Sequence, residues 1–161
     1  MKTILFLLTI CISATGFSQA SVTAIASVTI LKTLSVTKEP DMNFAEVTVD
    51  ETSGTVMRSS NSSRTTSGGA SLSSQGTRTF PAASFKITGA EGAYSISVPE
   101  EIFLSNGSRT LRMNNFTHNS KGILEDGAET VLIGATLYFN GMQEPGTYKN
   151  SSDLRVMVQY R

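Results

Sequence analysis

Asp153-Leu154-Arg155-Val156-Met157-Val158-Gln159-Tyr160, at the C-terminal end of the chain, decides its fold. Leu154, Val156, Val158 and Tyr160 alternate with Asp153, Arg155, Met157 and Gln159. A period of two sends successive side chains to opposite faces, here one apolar and one polar, so the run reads as a strand with one buried face. Ahead of it, Val131 to Phe139 reads Val-Leu-Ile-Gly-Ala-Thr-Leu-Tyr-Phe, the more continuously apolar pattern of a central strand. Gly134 inside that run predicts a bulge or the close approach of another backbone. Asn140-Gly141 ends it, and Pro145-Gly146 marks a turn. Together these predict a hairpin from 131–139 into 147–160.

The same two-residue period recurs along the chain, and no segment carries a helical stripe. Phe85 and Ile87 run into the turn Thr88-Gly89, and Tyr94, Ile96 and Val98 alternate with Ser95 and Ser97 before Pro99. Leu111, Met113 and Phe116 mark a further strand. Near the front, Leu34 and Val36 form a short piece, and Met42 and Phe44 follow Pro40 as a return to the core. Val47, Val49, Val56 and Leu72 are weaker core candidates. Residues 52–79 are rich in Ser, Thr and Gly. They read better as loops joining short polar strands, such as 54–58 and 69–73, than as a linker, because a boundary there would leave only about 30 residues ahead of it, too few to fold alone. Many short strands with no helices predict an all-β antiparallel sandwich or barrel.

The first twenty residues stand apart. Lys2 precedes an apolar run from Ile4 to Ile12, followed by small and polar residues ending Ser18-Gln19-Ala20. A positive start, a short apolar core and a small-residue exit form a secretory leader. Cleavage is expected after Ala20, with Gln19 or Gly16 as alternatives. Cys11 lies inside the apolar core behind bulky Ile10, so it reads as part of the leader and not as a lipidation site. Residues 21–161 are then one exported domain without cysteine, so no disulfide within it is expected and its core must carry its stability. No later stretch reaches the roughly 20 apolar residues that a spanning helix needs. The whole chain balances 13 basic against 13 acidic residues. Loss of Lys2 leaves the remainder one unit negative, which gives no footprint for nucleic acid or an anionic membrane.

The second half carries landmarks in a particular order. Phe85-Lys86-Ile87-Thr88-Gly89 is followed by Tyr94-Ser95-Ile96-Ser97-Val98-Pro99, Gly134-Ala135-Thr136-Leu137, Gly146-Thr147-Tyr148 and the closing Val156-Met157-Val158-Gln159-Tyr160. Leu34 and Met42-Asn43-Phe44 fit the same order at the front. The chain resembles the bacterial exported family catalogued as domain of unknown function 4402, over essentially all of residues 21–161. In layout it is also similar to pilin-like and spore-coat-like modules. The resemblance implies an Ig-like or pilin-like β-sandwich at the cell surface or in the periplasm, with no catalytic residues to carry over. The sequence departs from many chaperone-assembled pilins in lacking a cysteine pair, and it has Ala45 where the family often has Gly.

Candidate chemistry is sparse. The single histidine, His118, sits in a loop-like stretch with no cysteine partner and no Gly-x-Ser-x-Gly elbow, so nothing meets the requirement of a nucleophile with its base. No Cys/His cluster could hold zinc. Glu125, Asp126 and Glu129 are the densest carboxylates, but no Asp-x-Asp-x-Asp-Gly loop surrounds them, and Asp126-Gly127 reads as a turn. The chain therefore reads as non-catalytic, with no cofactor and no metal. It is expected to be a surface or extracellular structural module, a pilus-like or matrix subunit. The alternative is a module binding a surface glycan or another protein through loops 59–70, 105–109 and 117–122 at one end of the sandwich.

One segment bears on assembly. Val22, Ala24, Ala26, Val28 and Ile30 alternate with Thr23, Ile25, Ser27 and Thr29, immediately after the expected cleavage site. The run is either the first strand of the domain's own sandwich or a strand donated to a neighbour, where main-chain bonds give affinity and alternate side chains give register. The expected partner is thus another copy, or a different surface protein.

Overall fold

A computed structural model describes residues 24–73, 80–150 and 154–161. The leader and Val22 lie outside these. The chain divides into two compact units, 1–30 and 31–161, ten residues beyond the predicted cleavage site. In the first unit, residues 24–30 form no strand.

The second unit is all-β and antiparallel, with no helix among its described residues. Its strands are β1 (Ser35–Lys38), β2 (Val47–Arg58), β3 (Arg64–Leu72), β4 (Ala83–Thr88), β5 (Gly92–Ser97), β6 (Glu101–Ser105), β7 (Thr110–His118), β8 (Ile123–Leu124), β9 (Ala128–Phe139), β10 (Lys149–Asn150) and β11 (Met157–Tyr160). The main sheet is organised around β9. One edge of β9 pairs with β7. Its other edge is shared: Ala128 to Ile133 pair with β4, and Ala135 to Phe139 pair with β2. β1 extends the sheet beyond β4, β3 beyond β2, and β6 and β10 beyond β7. The second sheet has the order β11-β5-β8.

This occupancy explains the sequence of β9, and it corrects the predicted hairpin. A strand bonded on both edges and packed on its inner face needs apolar side chains, and Val131, Ile133, Ala135, Leu137 and Phe139 are all buried. With both edges taken, β9 cannot pair with 147–160. That stretch instead gives β10 to β6 and β11 to β5. The alternation in β11 itself holds, with Val158 and Tyr160 half-buried between exposed Met157 and Gln159. Gly134 is where the backbones crowd, since a Cβ there would run into the carbonyl oxygen of Arg58 and the backbone of Ser59 and Ser60. Across the sheet it faces Thr117, beside a bulge in β7 where Asn115 takes a φ of 51°. Of the two alternatives for Gly134, the close approach holds at the glycine itself, and the bulge lies across the sheet in β7.

The five odd-numbered residues from Val131 to Phe139 lie on one face, but they serve two cores. Val131 and Ile133 join Phe85, Ile87, Tyr94 and Leu124 beneath the second sheet. Ala135, Leu137 and Phe139 join Phe44, Val56, Ile102, Leu111 and Met113. Full burial of one such aliphatic or aromatic side chain contributes about 1.5–3 kcal/mol. The polar group buried with the first core is Tyr94, whose hydroxyl bonds Ser120 Oγ at 2.7 Å and Glu129 Oε2. Burial, aided by the bond to Glu129, pushes its phenol up to about 12.

Candidate functional site

The second core is open on one side. Over Leu137, Phe139, Leu111 and Met113 lies a groove of about 1060 Å³, with Ile102 and Leu104 of β6 on its floor as well. It is at the upper limit of ordinary small-ligand pockets, which run to about 1000 Å³. Three pieces of chain form its rims. The first is residues 38–46, held by local chemistry. Lys38 Nζ pairs with Asp41 at 2.8 Å, Asn43 Oδ1 accepts from Ala45 N at 2.7 Å, and Arg64 Nη1 donates to the Phe44 carbonyl at 3.0 Å. The Asn43 bond closes an Asx turn that carries Ala45 into the left-handed region, at a φ of 61°. The second rim is residues 143–149. Gln143 Nε2 donates to Tyr148 Oη at 2.7 Å, and Tyr148 Oη donates to the Glu144 carbonyl at 2.8 Å. The third is Val47 to Val49 of β2, paired with Ala70 to Leu72 of β3 on one edge. Among the described residues, no strand pairs with its other edge.

The predicted strand-exchange residues sit apart from any strand. Val22 lies outside the described residues. Ala24, Ala26, Val28 and Ile30 are exposed. Ile25, Val28 and Ile30 are 97%, 85% and 89% exposed. Where the chain enters the second unit it is anchored: Tyr160 Oη donates to the Lys32 carbonyl at 2.7 Å and accepts from Ala90 N at 2.6 Å. Gly89 lies against that same hydroxyl and has no room for a Cβ.

The other candidates resolve differently. His118 is exposed at the end of β7. Among the described residues, no three His, Cys, Asp or Glu side chains gather as metal ligands. The acidic cluster is taken up by structure: Glu129 accepts from Tyr94 Oη and Lys121 N, and Glu125 pairs with Lys121 Nζ at 3.0 Å. Asp126 and Gly127, with φ of 55° and 69°, form the predicted turn into β9. The loop predicted over 59–70 is shorter, because 64–70 belongs to β3. Loops 105–109 and 117–122 do not share one end of the sandwich, since the nine residues of β7 run between them. That places them about 30 Å apart. Sequence reasoning missed the groove altogether. A smaller depression, of about 470 Å³, opens where Arg112 stacks on Tyr138 with its guanidinium carbon 4.7 Å from the ring centre.

Paired antiparallel sheets with an open apolar groove in one core define a β-module. The chain belongs to the family described as Domain of unknown function (DUF4402), which matches residues 34–160. No curated protein and no solved structure matches it. The matched stretch starts one residue before β1, so the alternating segment 22–30 precedes it.

Proposed function

We propose that this chain is an exported, non-catalytic structural subunit of the cell surface or extracellular space, assembling by strand addition. The observation that carries the reading is the segment ahead of β1. It has strand periodicity, yet among the described residues no strand pairs with 24–30, and Ile25, Val28 and Ile30 are exposed. An unpaired apolar strand is an aggregation hazard unless a partner covers it. The leader-like first twenty residues support export.

The test is electrophoresis of a native cell-surface shear fraction, with and without boiling, probed for this protein. A ladder that collapses to one band on boiling is expected. A single monomer band in both lanes refutes the reading. A chain lacking residues 21–30 should stay folded and lose the ladder; if it unfolds, those residues are an intrinsic strand.

A second reading, a glycan-binding module, is favoured by the depression at Arg112 and Tyr138, where Asn115 Nδ2 donates to Tyr138 Oη at 2.8 Å. Aromatic faces and planar donors suit sugar rings. A glycan array without hits removes it.

A further inference from the structure

The inner face of β9 is continuous, but its cover is not. Val131 and Ile133 lie in the core under the second sheet, whereas Leu137 and Phe139 floor the open groove. Val47 to Val49 are bonded to β3 on one side, and among the described residues no strand pairs with the other, which is free up to Asp50, whose carbonyl accepts from Met142 N at 3.4 Å. An apolar floor beside an unpaired edge is what strand addition requires.

The geometry points to this groove as the acceptor for residues 22–30 of a second copy of the chain, added as a strand along Val47 to Val49. Val22, Ala24, Ala26, Val28 and Ile30 face the floor. The opposite set, Thr23, Ile25, Ser27 and Thr29, is polar at three of four positions and faces outward. The pleat fixes this choice, because a slip of one residue would exchange the two sets. The inference rests on the assembly reading above and adds to it the site, the occupant and the set of side chains that faces the floor.

Chain reach keeps the subunit's own extension from lying along the acceptor edge at Val47 to Val49. The extension leaves the second unit at Lys32, pinned by Tyr160, beside the Ser35 end of β1. Ser35 pairs with Thr88, and Thr88 with Ala128, so this is the level of the first residue of β9. Gly54 pairs with Phe139, and β2 continues from there back toward Val49, so the acceptor edge lies at or past the last residue of β9. Eleven residues of β9 separate the two levels, about 36 Å at 3.3 Å per residue. Residues 22–31, fully extended, span no more than about 36 Å. Folded back on its own domain, the extension would spend its whole length on the approach. Delivered to a neighbour, the same residues lie in the groove. Such a contact joins unlike surfaces of two copies, so each added copy leaves a groove and an extension free for the next.

The test is made in the full chain with its own leader. One strain population carries Val28→Cys, a second carries Val49→Cys, and a third carries Val47→Cys to cover a two-residue change of register. The first is mixed with each of the others during assembly, treated with a short bismaleimide, and the linked peptides are mapped by mass spectrometry. The expected result is an interchain link between position 28 of one copy and position 47 or 49 of another. In parallel, Val28→Asp should abolish the boiling-sensitive ladder while Thr29→Asp retains it, each with its thermal midpoint checked. A ladder with no such link, or with links only within one chain, overturns this site and leaves assembly standing. Absence of any ladder in the unsubstituted protein overturns both. Equal effects of the two aspartates refute the assigned phase.

Discussion

Replacing Ala45 by glycine should stabilise the domain, and the size of the gain follows from one dihedral angle. Ala45 holds a φ of 61° in the Asx turn that forms the groove's first rim. An L-residue with a Cβ loses about 1–2 kcal/mol in that conformation. Glycine removes the clash but loses more freedom on folding, at a cost of about 0.5–1 kcal/mol. The strain term is the larger, leaving a net gain of about 0.5–1 kcal/mol. The bond from Ala45 N to Asn43 Oδ1 involves only the backbone at position 45, so it persists. With a urea slope of about 1–3 kcal/mol per molar, the unfolding midpoint should rise by about 0.2–1 M at unchanged slope. The control is Ala135→Gly, at a buried β9 position with no positive φ, which should lower the midpoint by a similar amount. If Ala45→Gly lowers the midpoint as Ala135→Gly does, the backbone argument for this rim is wrong.

Further outcomes follow from the cores. Gly134→Ala forces a Cβ against the Arg58 carbonyl, which cannot yield without moving β2, so a loss of about 1–3 kcal/mol in a denaturant titration is expected; an unchanged midpoint would mean the two backbones do not meet. Arg58 is buried, with Nε donating to the Pro81 carbonyl at 3.1 Å and Nη1 without a partner among the described residues, and burial, then the nearby Arg64 charge, lowers its affinity for its proton. Arg58→Met should leave stability equal or higher, whereas a loss above about 3 kcal/mol would reveal a paired charge. The folded state holds the Tyr94 phenol up at about 12 against an ordinary 10, so it favours the protonated form. The stability that this lends is whole below pH 10 and is lost as pH rises from 10 through 12. Unfolding followed against pH should show that loss in the native protein and lack it in Tyr94→Phe; identical profiles would remove Tyr94 as its source.

What the sequence shows of this fold depends on where each strand's side chains go. Strands with one dry face announced themselves: Val158 and Tyr160 of β11, Tyr94 and Ile96 of β5, and the unbroken apolar run of β9. β3 did not. Arg64 to Leu72 reads Arg-Thr-Thr-Ser-Gly-Gly-Ala-Ser-Leu, and only Ala70 is buried, so the strand is held chiefly by main-chain pairing with β2 and leaves no side-chain period to read. The hairpin expected after β9 failed for a related reason. Neighbours in sequence are the default pairing, but the partners of β9 come from β2, β4 and β7, and no local signal reports that its edges are already filled. The alternating extension was visible because its pattern is local. The groove joins β2, β6, β7 and β9, which meet only after folding, so nothing in any one segment foretold it.

The anchoring of Lys32 by Tyr160 has a mechanical consequence. In a head-to-tail chain of these subunits, tension would enter each domain through Lys32 and pass at once into β1. β1 lies antiparallel to β4 with four residues in register, Ser35 to Lys38 against Thr88 to Phe85. A pull along the extension therefore loads those bonds side by side, in shear, and they must fail together; a strand peeled from its end would lose them one at a time. The Tyr160 hydroxyl, bonded to both Lys32 and Ala90, ties the entry point across to β11, so the second sheet shares the load before β1 can slide.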